Sequence, residues 1–367
     1  MRAKAIVDLS AIKHNVKSLQ DRAQVPVMAV LKADAYGHGL IPVARAALEG
    51  GAQWLGTALL SESIAIREAG ITQPRVMSWL TPPGENFQQA ISLNIDLSAS
   101  SLDVLDEIAA AARMLGQPAR VHLEVDTGMT RGGALGQWSD LVSATEKYVS
   151  SGLIKCAGVW SHFARADEPG HPANAAQRTS FDEALTIAEV LKPEVRHLSN
   201  SAATLVDAQA RYDLVRTGIA MYGLSPDVTT MGSAAKYNLL PAMSLTAKLL
   251  LVKDVPGGVA VSYGGTAITK SATKVGVVAM GYADGVPRHA SNSLSVSVDG
   301  KVVPVLGRIC MDQFVIDLGR DSLSKAGDDV LLFGDGGPSV DDWAAASGTI
   351  NYEIVTRIGP RVERVYR

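Results

Sequence analysis

Lys32 closes the apolar run Val27-Met28-Ala29-Val30-Leu31. Desolvation at such a position disfavours the ammonium form and lowers a lysine pKa from its usual value of about 10.4. The neutral amine can attack a carbonyl and form a Schiff base. The competing reading is a lysine whose stem lies on apolar surface while its head stays in water. Other polar groups follow apolar runs in the same way. Asp126 to Arg131 follow Val121–Val125, His162 follows Ala157–Ser161, Asn200-Ser201 follow Val195–Leu198, and Arg216-Thr217-Gly218-Ile219 end the run from Leu214. Ser201, Gly218 and Ile219 suit a phosphate held by a helix N-terminus and backbone N–H groups. Read structurally, Ser201 would be a helix N-cap and Gly218 a turn glycine. Opposite Lys32 they point to a phosphorylated carbonyl cofactor, with pyridoxal phosphate the obvious candidate. Arg216, a charge at the end of a buried strand, needs a partner. That partner is either Asp213 or Asp126 in an ion pair, or the pyridine nitrogen of the cofactor, which an arginine would leave unprotonated. His162 and His197 could ligate a metal, but no His-x-His occurs. Hydrogen-bonded histidines are the better reading, and no metal is expected.

The elements that carry these residues repeat a unit of apolar strand, polar or Gly-rich turn and helical stretch. Strands are predicted at 27–31, 54–58, 76–79, 95–97, 121–125, 157–161, 195–198 and 214–216. Helical stretches lie between them, at 41–48, 61–68, 102–114 and 177–191. The strands lack clean alternation, as parallel strands buried on both faces do. Eight βα units in roughly 230 residues match a (β/α)8 TIM-type barrel, which places its chemistry at the C-terminal strand ends. An open doubly wound sheet is the alternative, but Gly37-His38-Gly39 is followed by Leu40-Ile41-Pro42, so its dinucleotide fingerprint fails. From about Lys236 the pattern changes to short β-rich runs at 245–252, 275–280, 294–298, 302–306, 314–317 and 330–333. Asp299-Gly300 is a hairpin signal among them. The expected organisation is a barrel over residues 1–235, followed by a mostly β C-terminal domain over 236–367, to which the chain start could add a strand.

The chain has 367 residues, with 34 Lys+Arg against 37 Asp+Glu and a net charge of −3. That weighs against a nucleic-acid partner. No apolar run approaches the roughly 18 residues of a membrane span, and the start lacks a signal-peptide core, so a cytoplasmic protein is expected. Cys156 and Cys310, the only two cysteines, read as reduced thiols.

Several collinear motifs then carry a resemblance. The segment Ala29 to Gly39 (AVLKADAYGHG) resembles the cofactor-lysine motif of bacterial alanine racemases, barrel-type (fold type III) pyridoxal-phosphate enzymes. The likeness continues through DTGMTR at 126–131, WSHF at 160–163, HLSNSAA at 197–203 and VRTGIAMYG at 215–223. In the β-rich part it includes VSYGG at 261–265, GYADG at 281–285, GRICMD at 307–312 and NYE at 351–353. The resemblance implies that Lys32 holds the cofactor, and that Tyr36, Ser201, Gly218, Ile219 and Tyr352 bind its phosphate. It implies that Arg216 faces the pyridine nitrogen, supported by His162. Arg131 would meet the phenolic oxygen and the substrate carboxylate, which the Met311 N–H also holds. Lys32 and Tyr263 would be the two opposed bases that interconvert L- and D-alanine, the latter product feeding peptidoglycan. Tyr263 and the Met311 loop would come from the second subunit of a homodimer. One position departs from many members: Glu124 stands where they carry a lysine, often carbamylated, and could supply its negative charge directly. The rival readings are a pyridoxal-phosphate carrier barrel, which would lack the β-rich part, a related decarboxylase or broader racemase, and a metal hydrolase.

Overall fold

The computed structural model describes residues 2–367. It divides into two compact units, one of Ser10–Ala35 and Leu40–Leu240, the other of the residues up to Leu9, Tyr36–Gly39 and Pro241–Arg367.

The first unit is built on eight parallel strands: Val27–Val30, Trp54–Leu59, Arg75–Leu80, Ile95–Ala99, Ala119–Glu124, Ile154–Trp160, Val195–His197 and Val215–Thr217. Each pairs with the next along the chain up to the seventh, and the eighth pairs with the first. The seam between the seventh and eighth is crossed by Asp213 N–H to Arg196 O (3.0 Å) and Arg216 N–H to Ser199 O (3.0 Å). Val27–Val30 and Ile95–Ala99 are buried at every position, which is why these strands read as continuous apolar runs. The helices between them are amphipathic. Leu102–Leu115 buries Val104, Leu105, Ile108, Ala109, Ala111 and Ala112, is capped by the Ser101 hydroxyl, and stops at Gly116 with φ +63°. The helix expected from Gln177 starts earlier, at Pro172, because His171 caps it and a proline suits the first turn. Helices Leu9–Ala23, Phe87–Ser92 and Trp138–Ser150 join those expected from sequence, and a helix does begin at Ser201, running to Val206.

In the second unit the strand Met243–Val255 is central. Its first half pairs with Ala3–Val7 and Asp329–Phe333, its second half with Thr273–Val278. It is longer than the expected run at 245–252, and its first seven residues alternate buried and half-buried. The Asp299-Gly300 turn forms as read, both residues at positive φ (50° and 74°), joining Ser295–Val298 to Lys301–Leu306. Two short helices, Val340–Ala346 and Asn351–Thr356, interrupt the β structure. The second unit thus takes in the residues up to Leu9 and Tyr36–Gly39 besides Pro241–Arg367. Ala3–Val7 lies between Met243–Val255 and Glu363–Tyr366, where pairing on both sides satisfies its backbone.

Candidate active site

Lys32 follows the first barrel strand and opens a left-handed turn. Ala33, Asp34, Ala35 and Tyr36 have φ of 55°, 54°, 53° and 54°. Left-handed backbone costs a non-glycine residue roughly 1–2 kcal/mol, so four in succession need external support. Ala35 N–H donates to Leu31 O (2.8 Å), Ala33 N–H to Glu62 Oε1 (2.6 Å), and Leu40 N–H to Asp34 Oδ1 (2.7 Å). Glu62 also accepts from Ala58 and Leu59 N–H, so one carboxylate ties the turn to the end of the second strand. Burial and the nearby Arg131 lower the Lys32 pKa, with Glu62 opposing them. That shift favours the nucleophilic amine.

Arg216 is 4% exposed on the eighth strand. It pairs with neither aspartate considered above. Asp213 engages Arg196, and Asp126 Oδ1 instead accepts the N–H groups of Gly128, Met129 and Thr130, shaping their loop. Arg216 Nη1 donates to His197 Nδ1 (3.1 Å) and His197 O (2.9 Å). Nη2 donates to Ser161 O (2.7 Å), His162 Nδ1 (3.1 Å) and Leu198 O (3.2 Å). All these acceptors are neutral, and together they take up both terminal NH2 groups. Burial lowers the Arg216 pKa to about 9, with Glu124 opposing the shift. His162 and His197 are held well below the usual histidine range by burial and by Arg216. Both are thus hydrogen-bonded histidines.

Glu124 ends the fifth strand. Its carboxyl sits where a side chain on Gly132 would be, since a Cβ there would lie 3.0 Å from Oε1. It forms no ion pair with Arg131 or Arg216. Burial raises its pKa to about 7, against the pull of both arginines. Arg131 itself is exposed.

Ser201 is not the helix N-cap. Asn200 takes that role, its side chain accepting from Ala203 N–H, which leaves Ser201 as the first helical residue. The Ser201 hydroxyl instead accepts from Gly218 N–H (2.8 Å) and Ala220 N–H (3.4 Å), so the two segments meet. Gly218 caps the short turn Ile219–Tyr222. Hydroxyl and backbone N–H donors without a carboxylate suit a phosphate. Lys32, Ser201, Arg216, Gly218 and Ile219 thus all belong to the C-terminal rim of one barrel.

In the other unit, Tyr36 is buried and its ring lies 6.3 Å from that of Tyr352. Tyr263 is 72% exposed and Met311 is 52% exposed. Ser262, at φ +60°, donates to Arg308 O (2.7 Å) and touches Cys310 Sγ (3.5 Å), linking the two loops. Gly281 accommodates the Met311 loop, for a Cβ there would lie 2.3 Å from the Cys310 and Met311 carbonyl oxygens. Glu62, Asp96 and His122 were missed from sequence. The signal was present for the last two: a carboxylate and an imidazole inside runs read as buried strands. Among the described residues no group of metal-ligating side chains gathers, and no helix is long and apolar enough to cross a membrane.

Comparison with known proteins agrees with this geometry. The family described as "Alanine racemase, N-terminal domain" matches residues 7–226, and "Alanine racemase, C-terminal domain" matches residues 242–366. The chain is 52% identical to an alanine racemase of Frankia casuarinae over 100% of its own length and 96% of that protein. It is also 52% identical to one from Streptomyces coelicolor, with the same coverage. The crystal structure of alanine racemase from D-cycloserine-producing Streptomyces lavendulae superposes with a TM-score of 0.98 at 50% identity, covering 100% of this chain and 97% of that one. With both family profiles matched in order and half of all residues identical from end to end, the chain belongs to the alanine racemase family of isomerases.

Proposed function

We propose that this chain interconverts L- and D-alanine with pyridoxal phosphate, using Lys32 and Tyr263 as opposed bases in a homodimer. The reading rests above all on the joining of Lys32, Ser201 and Arg216 at one barrel rim in a full-length relative of alanine racemases. When bound, pyridoxal phosphate supplies a carbonyl that condenses with amines and a ring that accepts the electron pair left by a departing α-proton. Lys32 is the residue that would hold it, and its neutral amine would take or return the α-proton on one face of the substrate. Tyr263, supplied by a second copy of the chain, serves the other face. Its exposure and that of Met311 support this division of labour. Ser201, Gly218, Ile219, Tyr36 and Tyr352 bind the phosphate. Arg216 would face the pyridine nitrogen, and a guanidinium donor there would leave that nitrogen unprotonated and the ring a weaker electron sink than an aspartate partner would. His162 supports Arg216. Arg131 and the Met311 N–H orient the substrate carboxylate. The β-rich part, from residue 236 onward, carries the second base. By family analogy the enzyme works in the cytoplasm and its D-alanine enters peptidoglycan.

The test is a chirality assay. Purified protein with pyridoxal phosphate is incubated with L-alanine and, separately, D-alanine, with Lys32→Ala as control. Both enantiomers should converge on a racemic mixture, and the variant should abolish this. Failure of the wild-type protein to interconvert them, with cofactor bound, refutes the reading.

A further inference from the structure

Behind Arg216 runs a buried chain of polar contacts that the proposed chemistry does not use. His197 Nε2 meets His122 Nδ1 at 2.9 Å, and His122 Nε2 meets Asp96 Oδ2 at 3.2 Å. Asp96 is anchored by Arg75 Nε (2.9 Å) and by Arg120 Nε (2.5 Å), and Arg75 also engages Glu194. Asp96, His122 and His197 are fully buried. Asp96 lies one residue into its strand and Arg216 on the eighth, so the chain spans the barrel interior from its N-terminal end toward the catalytic rim.

The fold makes room for this chain. A Cβ on Gly158 would lie 2.4 Å from His122 Nδ1. The pairing of the fifth and sixth strands slips at Val121/His122, a bulge that re-aims the imidazole. Trp160 stacks on His197 (5.9 Å, 7°), and Trp54 meets His122 edge-on (5.6 Å).

Proton positions follow from one end. Arg216 can only donate, so His197 Nδ1 must be bare and its proton must sit on Nε2. That N–H donates to His122 Nδ1, which must also be bare, so the His122 proton sits on Nε2 and points to Asp96. An imidazolium at His122 would reverse the order and set an N–H of His197 against an N–H of Arg216. Burial, which keeps both histidines neutral, agrees. Burial opposes charge on Asp96 as well, but His122 and Arg75 hold it below the usual carboxylate range.

We propose that His122 and Asp96 are positioning residues for the reaction. They lock His197 in the tautomer that accepts from Arg216, and so fix the guanidinium that faces the cofactor. The proposal rests on the cofactor-facing role of Arg216 given above.

The experiment records ring-nitrogen NMR of 15N-histidine- and 15N-arginine-labelled protein, both cofactor-free and loaded with pyridoxal phosphate. Wild type should show His122 and His197 as neutral Nε2–H tautomers with slowly exchanging N–H protons. In His122→Phe the His197 N–H should lose that protection and the Arg216 side-chain signal should move. The absorption maximum of the loaded enzyme should shift, and kcat should fall about tenfold or more with KM within about threefold. If His122→Phe does not fold, Asp96→Asn reads the same signals through His122. A wild-type His197 protonated on Nδ1, or a folded variant with unmoved Arg216 signal and kcat, overturns the proposal. A wild-type protein that takes up no pyridoxal phosphate refutes the cofactor reading instead, and its tautomers still decide the relay.

Discussion

Glu124→Gln should raise stability and lower activity at once. In the folded protein the Glu124 pKa lies at about 7 against a usual 4.5, with burial as the main cause. The folded state therefore binds this proton more tightly than the unfolded chain does. Its stabilising effect is complete below pH 4.5 and is lost as pH rises through about 7. At about 1.4 kcal/mol per pH unit the full loss is about 3 kcal/mol, an upper bound for a carboxyl that water partly reaches. Glutamine resembles the protonated acid in shape and never ionises, so the variant escapes that loss. At pH 8.5 it should be more stable than wild type, melting up to roughly 4 °C higher, and the gap should close toward pH 4.5. Turnover should move the other way, because the ionised carboxyl supplies the negative charge felt by Arg216 and Arg131. Wild-type kcat should climb through pH 7, and the variant should lack that limb. Calorimetry and racemisation rates across pH 5–9 test both halves. A variant less stable than wild type at pH 8.5, or one with unchanged turnover, would show that the carboxyl does not carry this charge.

Further expectations concern the two bases and the strained turn. Tyr263→Phe should slow racemisation by several orders of magnitude while leaving α-hydrogen exchange with solvent for one alanine enantiomer, the one Lys32 serves. Since the equilibrium constant is one, kcat/KM must stay equal in both directions, so the asymmetry is sought in exchange measured by NMR. Equal loss of exchange for both enantiomers argues against two bases. If sites are shared between subunits, refolding inactive Lys32→Ala with inactive Tyr263→Phe in equal amounts should restore about a quarter of wild-type activity, because half the dimers then hold one intact site. No recovery on mixing contradicts the sharing. Glu62→Ala strips the acceptor from Ala33, Ala58 and Leu59 N–H. It should cost about 1–3 kcal/mol in denaturant unfolding and weaken cofactor retention, with Glu62→Gln intermediate. Full retention of cofactor by Glu62→Ala would mean that the left-handed turn holds its shape without the clamp.

The eight barrel strands were legible because strands buried on both faces must be apolar throughout, and their polar end residues stand out against that background. Lys32, Arg216, His162 and Ser201 were visible for this reason. So was the hairpin at Asp299-Gly300, where two residues must adopt positive φ. Local pattern could not say which charge meets which. Asp213 and Asp126 were plausible partners for Arg216 until the folded chain gave them to Arg196 and to loop N–H groups. Nor could it show that Ala33 to Tyr36 wind left-handed, since no glycine marks those positions and contacts such as Glu62, 29 residues away from Ala33, sustain the strain. The chain start read as a possible added strand, and Ala3–Val7 does pair with Met243–Val255, but the line from Asp96 through His122 and His197 to Arg216 joins residues that no local pattern connects. Periodicity records which face of an element is buried. Hydrogen-bond partnership and backbone strain depend on what the rest of the fold places opposite, which is settled only when the chain closes on itself.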